Sequence, residues 1–332
     1  MSKALMSIQD RHALSFWDLG TALSAAVPAS GTVNRTVLLQ TSAGAFVLCI
    51  SCRESWRVAW EHECIAWAAD HGLPVCRPIP LPGGGTILER SGVFYALFPF
   101  ALGRQVMRTE LSTEHARAAG SCLARIHIAF QTFPAERTRT KNLSVDHSAA
   151  LASIPNIEDA IQALPTHTET EEAALEQLAG RRAWLEQTSH LTEGLQGRLA
   201  VLPQAVLHGD YQETNLFFED GAVSAVIDWD QSGRAARGWE VVRALHLMLA
   251  LSPELCRSFL DSYRGVFPLA EDELQGAAAC YGVLADSNLW VYQAAYLESN
   301  ERAKRFIGSG PFVPFQVQWE QARLNKPLRC EP

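Results

Sequence analysis

Lysine is almost missing from this sequence. The 332 residues include four, Lys3, Lys141, Lys304 and Lys326, and the basic residues number 28 against 36 acidic ones. The net charge of −8 argues against nucleic acid or an anionic membrane as the main partner. Long apolar runs are missing too, so no segment reads as a bilayer span. The first ten residues, Met1 to Asp10, lack the apolar stretch and cleavage site of a signal peptide. These absences read together as a cytoplasmic protein. The eight cysteines include one Cys-x-x-Cys, Cys49 and Cys52, without a second pair or histidines at zinc-ligand spacing. It reads as packed or free thiols. There is no internal repeat and no low-complexity linker.

What is present is apolar material, 48% of the chain, enough for a packed core and for two domains or lobes. Residues 8–23 read as an amphipathic helix anchored by Phe16, Trp17 and Leu19. Strand patterns follow at 36–40 and 45–50, around the hairpin loop Thr41-Ser42-Ala43-Gly44. From Glu54 to about Ala69, Trp56, Trp60, Cys64 and Trp67 recur at helical spacing. Two short strands at 86–89 and 93–98 complete a small sheet with one helix. Pro99 to Gly103 reads as a connector. Beyond it the chain is mainly helical. A core face is carried by Ala116, Ala119, Leu123, Ile126 and Phe130, with His127 beside it as a hydrogen-bonded structural residue. Residues 131–155 read as loop, and helices are predicted over 157–200, 239–250, 254–265 and 271–305.

Two motifs carry the chemistry. The first is His208-Gly209-Asp210-Tyr211-Gln212-Glu213-Thr214-Asn215 and the second Ile227-Asp228-Trp229-Asp230. Between them, Asp220-Gly221 separates two apolar runs, a signal for a two-residue type I′ hairpin. If Glu219 pairs with Ala222, counting outward pairs Asn215 with Val226 and puts Asp228 two residues further on the same face. Such diagonal neighbours have Cβ atoms roughly 7–8 Å apart. Asp210 ends the preceding turn close by. Two acids and a carboxamide in one small volume suit a Mg²⁺ ion and the orientation of a hydroxyl in phosphoryl transfer from ATP.

These motifs resemble those of the aminoglycoside phosphotransferase/choline kinase family over about residues 25–300. The resemblance also rests on Gly31-Thr32-Val33-Asn34-Arg35 before the first strand. With His71-Gly72-Leu73-Pro74-Val75, Leu123-Ala124-Arg125-Ile126-His127 and the neighbourhood of Phe130 to Pro134, it is nearest the homoserine-kinase-like branch. It implies an α+β, bilobal protein-kinase-like fold, with a small antiparallel-sheet lobe carrying one helix (1–100) that binds nucleotide. A larger, mainly helical lobe (101–332) is implied for catalysis and substrate. It implies that Asp210 orients the acceptor hydroxyl and accepts its proton, and that Asn215 and Asp228 hold Mg²⁺ against the ATP phosphates.

For the nucleotide it implies Gly31 and Asn34 in the loop over the phosphates and Glu61, with Glu63 as runner-up, on the helix. Aligning Gly103 with the family's glycine makes Phe98 the last strand residue and offers adenine the Pro99 carbonyl and the Ala101 N–H. For the substrate, Asp230 follows the metal motif. Asp286, Trp290 and Gln293 share a face by i, i+4, i+7 spacing, an aromatic-acidic wall suited to an ammonium group, beside the plain alternative of an amphipathic packing helix. Glu240 stands where the family has an aspartate and reads as structural.

One departure matters. The family's strand carries a lysine or arginine that pairs the α- and β-phosphates with the helix glutamate; here Cys49 stands there. Arg53 shares its face by parity, but four residues at about 3.3 Å each displace it by roughly 13 Å along an extended strand. Unpaired, Glu61 reads as a solvated surface residue. Two functions remain open. One is an ATP- and Mg²⁺-dependent kinase acting on a hydroxyl of a small polar metabolite, such as homoserine or another amino alcohol, a sugar or an aminoglycoside. The other is a catalytically silent nucleotide- or ligand-binding protein. The oligomeric state is left unassigned.

Overall fold

The structure is a computed structural model that describes residues 6–27, 35–322 and 324. The chain forms two compact units. One comprises Met1–Arg139, Val206–Gly233 and Ser258–Phe267; the other comprises Thr140–Ala205, Arg234–Arg257 and Pro268–Pro332.

In the first unit, helix α1 (Ile8–Leu14) is capped by Ser7. The Ser7 hydroxyl accepts from the Asp10 N–H, and the Asp10 carboxylate accepts from the Ser7 N–H at 2.7 Å. The helix stops at Leu14, shorter than its periodicity predicts, because the chain turns into an extra edge strand. The strands β1 (Ala22–Ala26), β2 (Arg35–Thr41), β3 (Gly44–Ser51), β4 (Leu88–Arg90) and β5 (Val93–Pro99) form an antiparallel sheet in the order β1-β2-β3-β5-β4. β1 is mostly exposed, so it shows no apolar alternation and no strand signal. The inner strands do alternate. Val37 and Leu39, Leu48 and Ile50, and Tyr95 and Leu97 turn one way and bury against Ala13, Trp17 and Leu19 from the α1 segment. The residues between them, Cys49 among them, turn to the opposite face.

Helix α2 (Ser55–Asp70) buries Val58, Trp60, Cys64 and Ile65. Trp56 is instead exposed, with the Arg139 guanidinium 4.4 Å from its ring centroid. Helix α3 (Thr113–Ala129) starts at a Ser112 cap and buries Ala116, Ala119, Leu123 and Ile126, the face its spacing predicts. His127 is fully buried beside that face and meets the Tyr263 hydroxyl at 2.7 Å.

In the second unit, α4 (His147–Gln162) begins inside the stretch that reads as loop. Asp146 caps it through the Ala149 N–H, and Pro155 inside it hides the helical signal. With α5 (Glu169–Thr188) it forms a core of Ile154, Ile157, Ile161, Ala174, Leu178 and Leu185. Next come α6 (Leu195–Val201), β6 (Gln204–Leu207) and the strands β7 (Leu216–Glu219) and β8 (Ala222–Val226) of the first unit. After β9 (Gly233–Ala236) the helices are α7 (Arg237–Arg243), α8 (Pro253–Val266), whose residues from Ser258 onward belong to the first unit, and α9 (Glu271–Asp286). A buried two-pronged pair ties α7 to α9: Arg237 Nε and Nη2 donate to the two Glu273 oxygens, both at 2.7 Å. The expected single helix over 271–305 is broken after Asp286. Its carboxylate accepts from the Phe315 N–H and from Trp184 Nε1, both at 3.0 Å, and a separate short helix α10 (Trp290–Tyr292) follows.

Candidate active site

The hairpin β7–β8 forms as its turn residues require. Asp220 and Gly221 both have positive φ, 50° and 77°, and Glu219 pairs with Ala222. The register then slips between Phe217 and Phe218, so that Phe217 faces Ala225 and Leu216 faces Val226. Ser224 is the extra residue of a β-bulge. The expected pairing of Asn215 with Val226 is therefore off by one: Asn215 lies opposite Ile227, whose N–H it accepts at 3.0 Å, and Asp228 is the very next residue. The bulge shortens the path between the two motifs.

Asn215 ends a single helical turn, Glu213–Asn215, and is buried. Its Nδ2 donates to the Asp210 backbone oxygen at 2.8 Å and to Asp210 Oδ2 at 2.9 Å. Both partners are acceptors, which fixes the amide: the NH₂ faces Asp210 and Oδ1 turns away. Gln212 Nε2 adds a second donor to Asp210 Oδ2 at 3.2 Å. His208, fully buried, joins the two motifs. Its Nδ1 accepts from the Asp210 N–H at 3.2 Å, so the ring proton sits on Nε2, which donates to the Ile227 carbonyl at 2.9 Å. Tyr211 anchors the segment to α3 through its hydroxyl, 2.8 Å from the Ala119 carbonyl.

Asp228 has left-handed backbone, φ 63° and ψ 64°. That is an uncommon conformation for a residue with a Cβ, and here it directs the chain out of β8 into the Trp229–Gln231 turn. The Asp228 side chain stays solvent-accessible, yet the protein packed around it raises its carboxyl above the ordinary aspartate range. The Asp210 charge raises it further, and His208 and Arg53 oppose the rise. Asp210, Asn215 and Asp228 offer two carboxylates and an amide oxygen, an all-oxygen set suited to a hard divalent cation. Among the described residues, no three His, Cys, Asp or Glu converge on a metal by themselves. The donors thus fit an ion that fills its remaining positions with phosphate oxygens and water.

On the facing sheet, Cys49 pairs with Thr36, and the charges of Glu61 and Asp228 reach it. Burial, with those charges, pushes its thiol up to about 12, so it stays protonated. Glu61 is not a solvated surface residue. Burial pushes its carboxyl up to about 7, the Asp228 charge pushes the same way, and Arg53 opposes both. Glu63, the runner-up, pairs instead with Arg137. Trp60 Nε1 donates to the Ser232 carbonyl at 2.8 Å, tying α2 to the turn after Asp228.

Arg53 lies past the end of β3, and its charge acts on Glu61 and Asp228. β3 ends at Ser51, whose hydroxyl accepts from the Arg53 N–H at 3.2 Å, and the chain turns before α2 begins. The guanidinium forms an ion pair with Asp230 and is four-fifths buried.

Residues 24–277 match the phosphotransferase enzyme family, APH. The chain belongs to that family. It is 32% identical over 219 residues to a homoserine kinase of Caulobacter sp. (strain K31), covering 65% of this chain and 62% of that protein. It is 27% identical over 271 residues to a homoserine kinase of Phenylobacterium zucineum (strain HLK1), covering 78% and 76%. The match to the first of these spans less than two thirds of that relative's length. Among solved structures, an amicoumacin kinase in complex with AMP-PNP, Ca²⁺ and Ami aligns with a TM-score of 0.64 at 16% identity, over 95% of this chain and 98% of that one. A spectinomycin phosphotransferase in complex with ADP and spectinomycin aligns at 0.65 and 14%, over 97% and 100%. These similarities establish the protein-kinase-like fold.

Set against the family pattern, the remaining predicted residues separate. Gly31 and Asn34 lie outside the described residues. The strand before the connector runs through Pro99, one residue past Phe98, because Pro99 still faces Phe46 and the Phe100 N–H reaches the Ala45 carbonyl at 3.2 Å. Ala101 follows in the connector, which docks on the hairpin: Arg104 and Phe218 exchange backbone bonds of 3.0 and 2.9 Å, and Ser224 donates to the Leu102 carbonyl. Asp230, expected at the substrate, is held by Arg53. Asp286 and Trp290 belong to the second unit. The break after Asp286 removes the shared helical face, and Asp286 is committed to Phe315 and Trp184. Trp290 is half exposed and packs against Phe306. Sequence reasoning weighed Arg53 but did not find its pairing with Asp230. Ser51, a hydroxyl at the strand end able to cap a turn, was the one available signal.

Proposed function

We propose that this chain is an ATP- and Mg²⁺-dependent kinase that phosphorylates a hydroxyl of a small polar metabolite, with homoserine or a related amino alcohol as the first candidate. The observation that carries the reading is the locked carboxamide. Asn215 Nδ2 spans both oxygens offered by Asp210, which leaves Oδ1 uncommitted to them and available to a metal. The homoserine kinases among the relatives support the choice of acceptor.

Asn215 Oδ1 and the Asp228 carboxylate would hold the metal. Bound Mg²⁺ and ATP supply the transferable phosphoryl group and the neutralisation of charge that develops on it. Asp210 orients the acceptor hydroxyl and takes its proton; the two amide donors on Oδ2 fix the plane of its carboxylate. The transition state of phosphoryl transfer is loose, so this positioning accounts for most of what the protein contributes. The nucleotide would lie with adenine at Pro99 and Ala101, in the part of the chain up to about residue 100, with catalysis and acceptor binding assigned to the remainder.

A silent binding protein is the second reading, and Cys49 in place of a basic residue favours it. An ATP-consumption screen over amino alcohols, sugars and aminoglycosides, run beside calorimetric Mg²⁺·ATP binding, separates the two. Turnover that disappears in Asp210→Asn while nucleotide affinity stays nearly intact supports the kinase. Nucleotide binding without turnover of any acceptor supports the silent protein.

A further inference from the structure

We propose that Arg53 supplies the phosphate-binding cation that Cys49 does not, so that the clamp on the nucleotide phosphates has moved from the middle of strand β3 to the turn that follows it. The inference rests on the nucleotide-binding reading above and deepens it.

The strand position has no replacement in place. Cys49 is a neutral thiol, half-buried, pointing to the face where the charges of Glu61 and Asp228 act on it. Glu61, Asp228, Asp210 and Asp230 together form an acidic group that would repel the α- and β-phosphates. Among the described residues, the first unit contains no lysine. Arg53 faces the acidic group from the end of β3. It pairs with Asp230, and its charge acts on both Glu61 and Asp228, which places it within electrostatic reach of the helix glutamate and the metal-site aspartate at once.

Its geometry suits the task. The Ser51 hydroxyl holds the Arg53 backbone N–H, so the side chain starts from a fixed turn. A guanidinium presents five donors in a planar fork, and engaging Asp230 uses one part of it. Asp230 thereby acts as a positioning residue, the role the helix glutamate has toward a strand lysine. Glu61 then has no cationic partner on the strand, in keeping with the upward push on its carboxyl.

The test reads nucleotide affinity and does not depend on turnover. Calorimetry on the full chain compares Mg²⁺·ATP with adenosine, which has no phosphates. In the wild type, ATP is expected to bind more tightly than adenosine. Arg53→Met is expected to weaken ATP by roughly 10- to 100-fold, the scale of one charge-assisted contact, and to leave adenosine unchanged. Adding Cys49→Lys to Arg53→Met is expected to restore ATP binding. A second measurement needs no variant: phenylglyoxal modification of Arg53 in the wild type, followed by mass spectrometry, is expected to be blocked by ATP and not by adenosine. A wild type that prefers ATP, with Arg53→Met keeping the same preference within about twofold or Arg53 still modified under saturating ATP, overturns the proposal alone. A wild type that binds no nucleotide overturns the nucleotide reading as well.

Discussion

Around Asp210, Asn215 and Asp228, the bonds among the site side chains join residues close in sequence, although Tyr211 also reaches Ala119 on α3. Asn215 reaches back five residues to Asp210, and His208 reaches forward 19 to Ile227. Around Cys49, Arg53 and Glu61, the ties come from far along the chain. Trp60 meets Ser232 across 172 residues, and Arg53 meets Asp230. The first region is a local device that a short segment assembles once its hairpin forms. The second exists only after the sheet, α2 and the hairpin have come together. The difference bears on where a family pattern can drift: a charge held by tertiary contacts depends on several elements at once, whereas Asp210 and Asn215 are tied to each other within one segment.

The largest effect expected from this contrast is on the local device. Asn215→Ala removes the oxygen proposed to meet the metal and both bonds to Asp210. Under the proposed mechanism, kcat should fall by about 10²–10³-fold, with a smaller change in acceptor KM, in steady-state assays. A loss under about tenfold would show that Asp210 holds its place without the carboxamide and would break the contrast.

The next effect concerns the frame of the hairpin. Gly103 has φ 80°, and a Cβ there would run into the Phe218 carbonyl and the Ser224 hydroxyl. Gly103→Ala should cost about 2–4 kcal/mol, combining backbone strain with overpacking. Gly92 has φ 74° with open space around it, so Gly92→Ala should cost only about 1 kcal/mol. Urea midpoints for the two variants separate strain from collision.

How much of this was legible follows the same division. The Asp220-Gly221 turn and the alternation around it are local chemistry, and they read correctly. The bulge at Ser224 did not, because parity counting has no term for an extra residue, and it moved the partner of Asn215 from Val226 to Ile227. Pro155 and the exposed edge strand Ala22–Ala26 hid elements whose stability comes from packing and pairing. The strand count to Arg53 ran past Ser51, where β3 ends, and its partner Asp230 carried no mark of the pairing. The break after Asp286 depends on the Phe315 N–H that its carboxylate accepts, a contact no helical spacing contains.

A smaller effect tests the tertiary side through pH. His62 on α2 is buried against Phe98, with Nδ1 2.6 Å from the Thr86 hydroxyl, and burial pushes its pKa down to about 4 from 6.5. The unfolded chain takes up a proton near pH 6.5 that the folded chain refuses. This contribution to stability is therefore complete above about pH 6.5 and lost as pH falls toward 4. Glu61, raised to about 7, and Asp286, raised to about 6, act in the opposite sense over much of that range. The difference between proteins isolates the histidine: relative to wild type, His62→Gln should lose about one proton's worth of slope in stability between pH 6.5 and 4.5. Parallel curves would mean that His62 is protonated within the fold.

The smallest effect bears on the joint between the two regions. Trp60→Phe keeps most of the buried ring area but deletes the indole N–H that reaches the Ser232 carbonyl. One buried hydrogen bond and its stranded acceptor are worth about 1–2 kcal/mol of stability. The bond ties α2, which carries Glu61, to the turn that holds Asp230 and through it Arg53. Loosening it should therefore weaken ATP affinity by about 3–10-fold, while kcat at saturating ATP changes by less than about threefold. If kcat falls instead and ATP affinity is kept, the distant tie serves Asp210, Asn215 and Asp228, and the two regions are one cooperative unit.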